Sequence, residues 1–227
     1  MLNRLARYQP ILRLIRKYRP SSLIEIGSGS KGIGEFCSAK FVGVDIAFEG
    51  NAVPHINLVQ ASGAKLPFRD NSFEMAICMD VLEHVEPSSR GQVIQEALRV
   101  ASRFVVIGFP AGNPAQDSDL KLIAWCKQKK ASVPGWLDEH MRFPFPEEAQ
   151  VVSSLTPGLT FLHLGNENLW LHRIICKWEL HPSVLMRRCA YMFAYRLRFL
   201  SGFILSLVNF PPYYRALFIV HKVPVRR

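Results

Sequence analysis

Two acidic residues and a glycine-rich segment near the start of the chain have the spacing of a nucleotide-binding site. Gly27, Gly29 and Gly32 follow a short apolar run. Glycines are needed where a strand turns sharply into a helix, because they adopt positive φ and let a ligand approach the backbone. Glu25 lies two residues before Gly27, and Asp45 lies 18 residues after it. Since an acid at that later position can accept hydrogen bonds from ribose hydroxyls, the pattern predicts a ligand with a nucleoside part.

The same glycine spacing also occurs in sites for nicotinamide and flavin dinucleotides. Glu25 argues against them, because those sites normally have an apolar residue at this place, whereas an acid suits a ligand with an ammonium or sulfonium charge. Each residue also has a purely structural alternative. Gly27 and Gly29 would form a tight turn, Asp45 would cap a helix, and Glu25 would belong to an ion pair.

The elements that position these residues follow an α/β pattern. From residue 22 to residue 110, short apolar runs alternate with helical stretches, which is typical of βαβ units and a parallel sheet. The predicted strands are Leu23–Ile26, Phe41–Asp45, Ile56–Gln60, 75–79, 104–109, 160–164 and 216–220. Helices are predicted over 32–40 and 90–102, and an inserted helix or helix pair over 183–210.

Charge divides the chain into three parts. Residues 1–20 carry six basic and no acidic residues, whereas residues 170–227 carry ten basic residues and one acidic residue. The net charge of +10 therefore lies on the flanking segments, which could meet phosphate, nucleic acid or an anionic membrane. Residues 1–20 have the pattern of a basic amphipathic helix interrupted at Pro10, and this helix would either cap the sheet or anchor the chain to a membrane. The apolar run after Arg198 is too short to span a bilayer.

Two further motifs carry a resemblance to a known family. Leu66, Pro67 and Phe68 are followed by Asp70, Ser72 and Phe73, and the next strand runs into Val-Leu-Glu-His-Val at 81–85. With the glycine turn, these motifs resemble the class I S-adenosylmethionine-dependent methyltransferases over residues 20–110. The resemblance implies a doubly wound α/β fold with a mostly parallel seven-stranded sheet and a helical insertion between the last two strands. It also implies one domain over 1–227, with a cofactor-binding half at 21–110 and an acceptor-side half at 111–227.

The resemblance assigns cofactor contacts to particular residues. The turn of Gly27, Ser28 and Gly29 would contact the methionine part of S-adenosylmethionine, and Glu25 would organise this turn and the bound amino group. Asp45 would accept from both ribose hydroxyls, and Ile46 would lie along the adenine. Ser62, Gly63 and Met79 complete the predicted set. Two departures stand out: Lys31 replaces the usual third glycine, and Ser62 replaces an aspartate, which removes a charge-assisted hydrogen bond.

His84 is the candidate general base, since an imidazole can accept a proton from a hydroxyl near neutral pH. Its alternative role is only to shape the pocket. Asp80, Glu83 and His84, with His140, also resemble a metal-binding arrangement of some quinone and small-RNA methyltransferases. Many relatives with the motif at 81–85 need no metal, and Asp80 is shorter than the usual Glu, so we expect no metal here. Residues 138–140 are predicted to be either a lid over the acceptor or an ordinary loop.

The acceptor is predicted to be a small molecule, a lipid-linked molecule or a glycan, methylated on oxygen. The basic, apolar segment 183–210 suits an amphipathic acceptor presented at an anionic membrane surface. One alternative is RNA methylation that uses the basic termini, but no RNA-binding module is evident and nucleic acid is not expected. A second alternative is a cofactor-binding protein without turnover. Five scattered cysteines indicate reduced thiols and a cytoplasmic protein, peripheral on a membrane at most.

Overall fold

The computed structural model describes residues 2–197 and 209–222. Within these residues a sheet of seven strands has the order β3-β2-β1-β4-β5-β7-β6. The strands are β1 (Leu23–Ile26), β2 (Phe41–Asp45), β3 (Ile56–Gln60), β4 (Phe73–Met79), β5 (Ala101–Pro110), β6 (Thr160–Asn168) and β7 (Tyr213–His221). Neighbours among the first five strands pair in parallel, and β7 pairs antiparallel with both β5 and β6. The prediction of a mostly parallel seven-stranded sheet is confirmed.

Helices cover both faces of this sheet. They are α1 (Leu2–Tyr18), α2 (Arg90–Val100), α3 (Gly112–Gln128), α4 (Gly135–Glu139), α5 (Glu148–Ser154), α6 (Leu169–Glu179) and α7 (Val184–Leu197). Alternate residues of β4 serve the two faces: Met75 and Ile77 pack in the cluster that includes α1, whereas Ala76 and Cys78 pack in the cluster that includes α2. Burial on both faces explains why the strand sequences are continuously apolar instead of alternating between apolar and polar residues.

Three of the predicted strands have the predicted bounds, and the other four are longer. Strand β5 begins three residues earlier than predicted and ends at Pro110, and β6 continues to Asn168. The helix predicted over 32–40 is wrong, because only a single 3₁₀ turn forms, over Gly32–Glu35. Helices α6 and α7 lie between β6 and β7 in the chain. Residues 198–208 of the segment predicted as an insertion lie outside the described residues.

Helix α1 runs through Pro10 without the predicted interruption. A proline inside a helix has no N–H to donate to the carbonyl four residues earlier, which here is that of Ala6. The side chain of Asn166 on β6 replaces this donor, since its Nδ2 donates to the Ala6 carbonyl at 3.3 Å and to the Arg7 carbonyl at 3.4 Å. The helix therefore continues because a distant side chain satisfies the carbonyl that the proline leaves open.

Candidate active site

The glycine turn after β1 is fastened to the end of β2. The amide of Gly27 donates to the Val44 carbonyl at 2.8 Å, and the amide of Gly29 donates to Asp45 Oδ2 at 2.8 Å. Both glycines have positive φ, +73° and +53°. A Cβ at Gly27 would overlap the side chain of Val81, so only glycine allows this close approach. The turn and the acid at the end of β2 thus form one unit.

Glu25 lies beneath the turn and is buried. Its Oε1 accepts from the Tyr8 hydroxyl at 2.7 Å, and its Oε2 accepts from the amide of Ile33 at 2.8 Å. Burial raises the pKa of Glu25, although the bonds from Tyr8 and Ile33 act in the opposite direction. A Cβ at Gly32, where φ is +48°, would overlap Glu25 Oε2. Glu25 therefore holds the chain that follows the turn.

A cavity of about 550 Å³ opens beside the turn, and we call it the first cavity. Its volume falls within the range of about 300–1,000 Å³ that is usual for small-molecule sites. Six of the predicted site residues line it: Gly27, Asp45, Ile46, Ser62, Gly63 and His84. Ile46 is 71% exposed at the edge of this cavity, where the flat apolar surface of a ligand would cover it. The residues present fit a nucleoside ligand, with a carboxylate, an apolar side wall and a cradle of glycines.

The other four predicted contacts do not line this cavity. Glu25 is covered by Tyr8, and the Ser28 hydroxyl donates to the Gly29 carbonyl at 2.8 Å. Gly29 does not line the cavity, but its amide donates a hydrogen bond to Asp45, which does. Met79 is fully buried on the face of the sheet that packs against α1, beside Gly108. A direct contact between these four residues and the cofactor stays a prediction.

His84 stands where the first cavity meets another one. Its Nδ1 lies 3.3 Å from Glu139 Oε2, and its ring centroid lies 4.9 Å from that of His140. Burial and the neighbouring His140 lower the pKa of His84, while Glu139 acts in the opposite direction. The imidazole is therefore largely neutral near pH 7, which is the state that can accept a proton.

The second cavity has a volume of about 320 Å³ and shares Asp80, His84 and Trp136 with the first. Its remaining lining comes from α1, α6, β7 and the segment after α4. These residues are Asn3, Arg4, Arg7, His140, His172, Cys176, Glu179, Leu180, Tyr214 and Arg215. Most of these side chains are polar, so this cavity suits a molecule that can exchange several hydrogen bonds.

A buried ion cluster forms one wall of the second cavity. Arg215 Nε donates to both carboxylate oxygens of Asp80, at 2.8 and 2.9 Å, and its Nη1 donates to Glu167. Arg7 Nε lies 2.8 Å from Asp80 Oδ2. Burial raises the pKa of Asp80, but the charges of Arg215 and Arg7 outweigh burial and hold this pKa well below its usual range. Asp80 is thus ionised and fixed between two guanidinium groups.

A second series of polar side-chain contacts lies in the same region. Asp119 Oδ2 accepts from the Tyr214 hydroxyl at 2.8 Å and lies 2.7 Å from His140 Nδ1. The ring of His172 stacks on Tyr214 with centroids 3.5 Å apart, and its Nδ1 lies 3.2 Å from Glu167 Oε1. Burial lowers the pKa of His172, but the neighbouring Cys176 and Glu167 outweigh it and raise this pKa to about 10.

Glu83, His84 and His140 bring ligand atoms within 4.8 Å of one another, which is close enough for a metal ion to bridge them. Glu83 is fully buried, and neither of its carboxylate oxygens has a hydrogen-bond partner among the described residues. Asp80 does not join this group, because Arg215 and Arg7 hold it. The expectation that the protein needs no metal stays a prediction.

Sequence reasoning found part of this site and missed part of it. Glu139, from the segment 138–140 that is predicted to be a lid or a loop, lines the first cavity, and so does Trp136, two residues before that segment. Glu167 is buried near the end of β6, beyond the predicted strand over 160–164. Arg7 and Arg215 were missed, because they are separated by two hundred residues in the sequence and no local pattern links them.

Comparisons with known proteins agree with this geometry. Residues 24–103 match the family model described as a methyltransferase domain. Magnesium protoporphyrin IX methyltransferase (ChlM) from Synechocystis PCC 6803, solved with bound S-adenosylhomocysteine, is 14% identical; the match covers 94% of this chain and 81% of that one, with a TM-score of 0.53. The plantazolicin methyltransferase BpumL, also in complex with S-adenosylhomocysteine, is 10% identical, with 98% and 85% covered and a TM-score of 0.55. A comparison with curated proteins found no match.

At such low identity the solved structures establish the fold, and the family match covers the strands that carry the glycine turn and the motif at 81–85. The resemblance found in the sequence is thereby confirmed, together with S-adenosylmethionine as the cofactor. Residues 24–103 match a methyltransferase domain, and the fold of the described residues agrees with that of class I S-adenosylmethionine-dependent methyltransferases, so the findings together support a methyltransferase of this class.

Proposed function

We propose that this enzyme methylates an oxygen of a small-molecule, lipid-linked or glycan acceptor, which binds in the second cavity. The observation that carries the proposal is the meeting of the two cavities at Asp80, His84 and Trp136. A displacement reaction needs donor and acceptor in line across a short gap, and two cavities that share a wall can provide this arrangement.

Asp45 and the glycine turn would hold the cofactor. Asp45 Oδ2 accepts from the amide of Gly29 at 2.8 Å, and Oδ1 accepts from the amide of Ile46 at 2.7 Å and, at 3.5 Å, from that of Ala47. A carboxylate oxygen can accept two hydrogen bonds, so Oδ2 retains a position for one ribose hydroxyl, and Oδ1 would accept the other in place of its long contact with Ala47. Gly27 and Gly63 leave room along the cavity wall, and the exposed Ile46 side chain offers an apolar surface to the adenine.

His84 would accept the proton of the acceptor hydroxyl. When bound, S-adenosylmethionine supplies an electrophilic methyl group, so the protein has only to align the acceptor and remove a proton. The lowered pKa of His84 keeps the imidazole neutral, and the Glu139 carboxylate near Nδ1 can stabilise the imidazolium that forms. Loss of the proton increases the electron density on the attacking oxygen.

The polar lining of the second cavity favours an acceptor group rich in hydrogen-bonding atoms. Asn3, Arg4 and Glu179 lie at this cavity together with three histidines, so a polar acceptor group would find hydrogen-bonding atoms on several sides, which an aliphatic group could not use. The hydroxyls of a sugar or of a lipid head group would satisfy such a lining. RNA methylation and binding without turnover remain the alternatives that the experiments below distinguish.

Cofactor binding is tested by calorimetry with S-adenosylhomocysteine. We expect Asp45→Ala to weaken binding at least tenfold, because the carboxylate would make charge-assisted hydrogen bonds worth about 1.5–3 kcal/mol each. Asp70→Ala, which removes an exposed aspartate, serves as the control and should bind like the wild type. Equal affinity of Asp45→Ala and the wild type would refute the assignment of Asp45.

Catalysis is tested by turnover of a labelled methyl donor against lipid, glycan and RNA fractions of the source cell. We expect His84→Ala to retain binding of S-adenosylhomocysteine and to lose about a hundredfold in turnover. His163→Ala is the matched control, since His163 also lies 3.3 Å from a glutamate, Glu148, but on β6. Undiminished turnover in His84→Ala would refute the role as base. Labelling of RNA alone would refute the acceptor class, and binding without any labelling would support the non-catalytic alternative.

A further inference from the structure

Helices α6 and α7 present a large apolar surface to solvent. Seven of its residues are between 43% and 69% exposed, and we call them the outer apolar face. They are Trp170, Ile174, Val184, Leu185, Met186, Tyr191 and Met192. Single exposed apolar residues are ordinary, but seven of them on two helices that pack against each other indicate a candidate binding surface.

Cations are interleaved with this apolar face. Arg173 and Lys177 lie on α6, and Arg187, Arg188 and Arg196 lie on α7. One acidic residue, Glu179, occurs in the same two helices, and it accepts from the amide of Leu2 at 2.7 Å. Such a surface attracts anions through its charge and accepts an apolar phase through its side chains.

The exposure of α7 indicates what kind of partner would cover it. Every residue from 184 to 192 is exposed except Ala190, so apolar side chains point outward around most of the helix. A helix in the bilayer interface places apolar side chains at the acyl boundary and basic side chains among the head groups, so an anionic bilayer accommodates both kinds of exposed side chain on α7. No helix among the described residues is long and apolar enough to cross a bilayer.

Helix α6 connects this face to the second cavity. Its inner side contributes His172, Cys176 and Glu179 to the cavity lining, and its outer side carries Trp170 and Ile174. The cavity is therefore separated from the outer apolar face by the thickness of one helix, a distance of about 10 Å.

We propose that the outer apolar face docks on an anionic lipid bilayer, with α7 lying in the head-group region. Arginines 187, 188 and 196 bind lipid phosphates, while the apolar side chains enter the boundary with the acyl chains. Docking itself goes beyond the proposed function and does not depend on it. The supply of a lipid-linked acceptor to the second cavity rests on the proposed function.

Vesicle flotation of the full chain tests this inference. We expect the protein to float with vesicles of phosphatidylcholine mixed with phosphatidylglycerol, weakly with phosphatidylcholine alone, and less at high salt because screening weakens the attraction. Arg187→Gln/Arg188→Gln should lower partitioning at least tenfold, since each arginine contributes about fivefold near an anionic surface. Leu185→Ser/Met192→Ser should lower it similarly through the loss of apolar contact.

Leu120→Ser/Val152→Ser is the matched control, because these residues are 49% and 42% exposed on other helices. This variant should float like the wild type. Binding of S-adenosylhomocysteine and the thermal unfolding midpoint establish that each variant is folded, and they separate a failure of docking from a failure of the proposed function. Absence of flotation with anionic vesicles, or an equal loss in the control variant, would overturn the proposal. So would a stable dimer in sedimentation velocity that the Leu185→Ser/Met192→Ser change dissociates, since a second copy would then cover the face.

Discussion

Replacement of Asp80 by asparagine is the sharpest test of the buried ion cluster. Asp80 has a φ of +50°, a conformation that asparagine tolerates well, so Asp80→Asn changes the charge with little backbone strain. The substitution removes the carboxylate that binds Arg215 and Arg7, each at 2.8 Å. Both guanidinium groups then lose their shared anion, and Arg215 retains Glu167.

The expected loss in the free energy of unfolding follows from the burial of the Asp80–Arg215 pair. The side chain of Asp80 is 7% exposed and that of Arg215 is 2% exposed, so water compensates for the lost partner far less than it would at an exposed pair. Removal of one partner from a buried pair costs about 3–5 kcal/mol. Asp70→Asn offers a matched comparison, because Asp70 lies at the same 2.8 Å from Arg99 but is 71% exposed. An exposed pair of this kind contributes about 0–1 kcal/mol.

Urea unfolding followed by circular dichroism measures both variants. We expect Asp80→Asn to lower the free energy of unfolding by about 3–5 kcal/mol, and Asp70→Asn by at most about 1 kcal/mol. The double variant Arg7→Gln/Asp80→Asn should be more stable than Asp80→Asn, because it removes one of the uncompensated charges. The reasoning is refuted if the two single variants lose the same free energy, or if the double variant is no more stable than Asp80→Asn.

Two other predictions concern the turn and the buried histidine. Gly32→Ala should unfold at a lower urea concentration and bind S-adenosylhomocysteine less tightly than Gly50→Ala. Both positions have positive φ, but only a Cβ at Gly32 would overlap Glu25. Similar losses in the two variants would argue against the contact with Glu25. Because the pKa of His172 is raised to about 10, its protonation stabilises the fold fully below about pH 6.5, and this contribution is lost as the pH rises toward 10. Equilibrium unfolding of the wild type should therefore weaken over that range more steeply than that of His172→Gln, and parallel pH profiles would contradict the interaction with Glu167.

Local patterns predicted the part of the structure that local interactions determine. Strands β1, β2 and β3 have the predicted bounds because the sequence of a buried parallel strand is a short apolar run between glycines and polar turns. Asp45 lines the first cavity because the carboxyl end of β2 must lie beside the turn after β1 in such a sheet.

The errors arose where distant residues decide the local structure. Pro10 breaks an isolated helix, but Asn166 supplies a donor from 156 positions further along the chain. The helix predicted over 32–40 gives way to one short turn, where the amide of Ile33 bonds to Glu25. Likewise, Tyr8 has no sequence signal that would pair it with Glu25, since this contact depends on how α1 crosses the sheet.

The fastening of α1 has a consequence for the order in which the polypeptide is assembled during translation. This helix is synthesised before the residues that hold it, because the amide of Leu2 donates to Glu179 and the carbonyl of Ala6 accepts from Asn166. Its final position is thus reached only after the chain has grown past residue 179, when most of the sheet has already been synthesised. Until then the apolar side of α1, with Ile11 and Leu12, is a surface that a chaperone on the nascent chain could recognise.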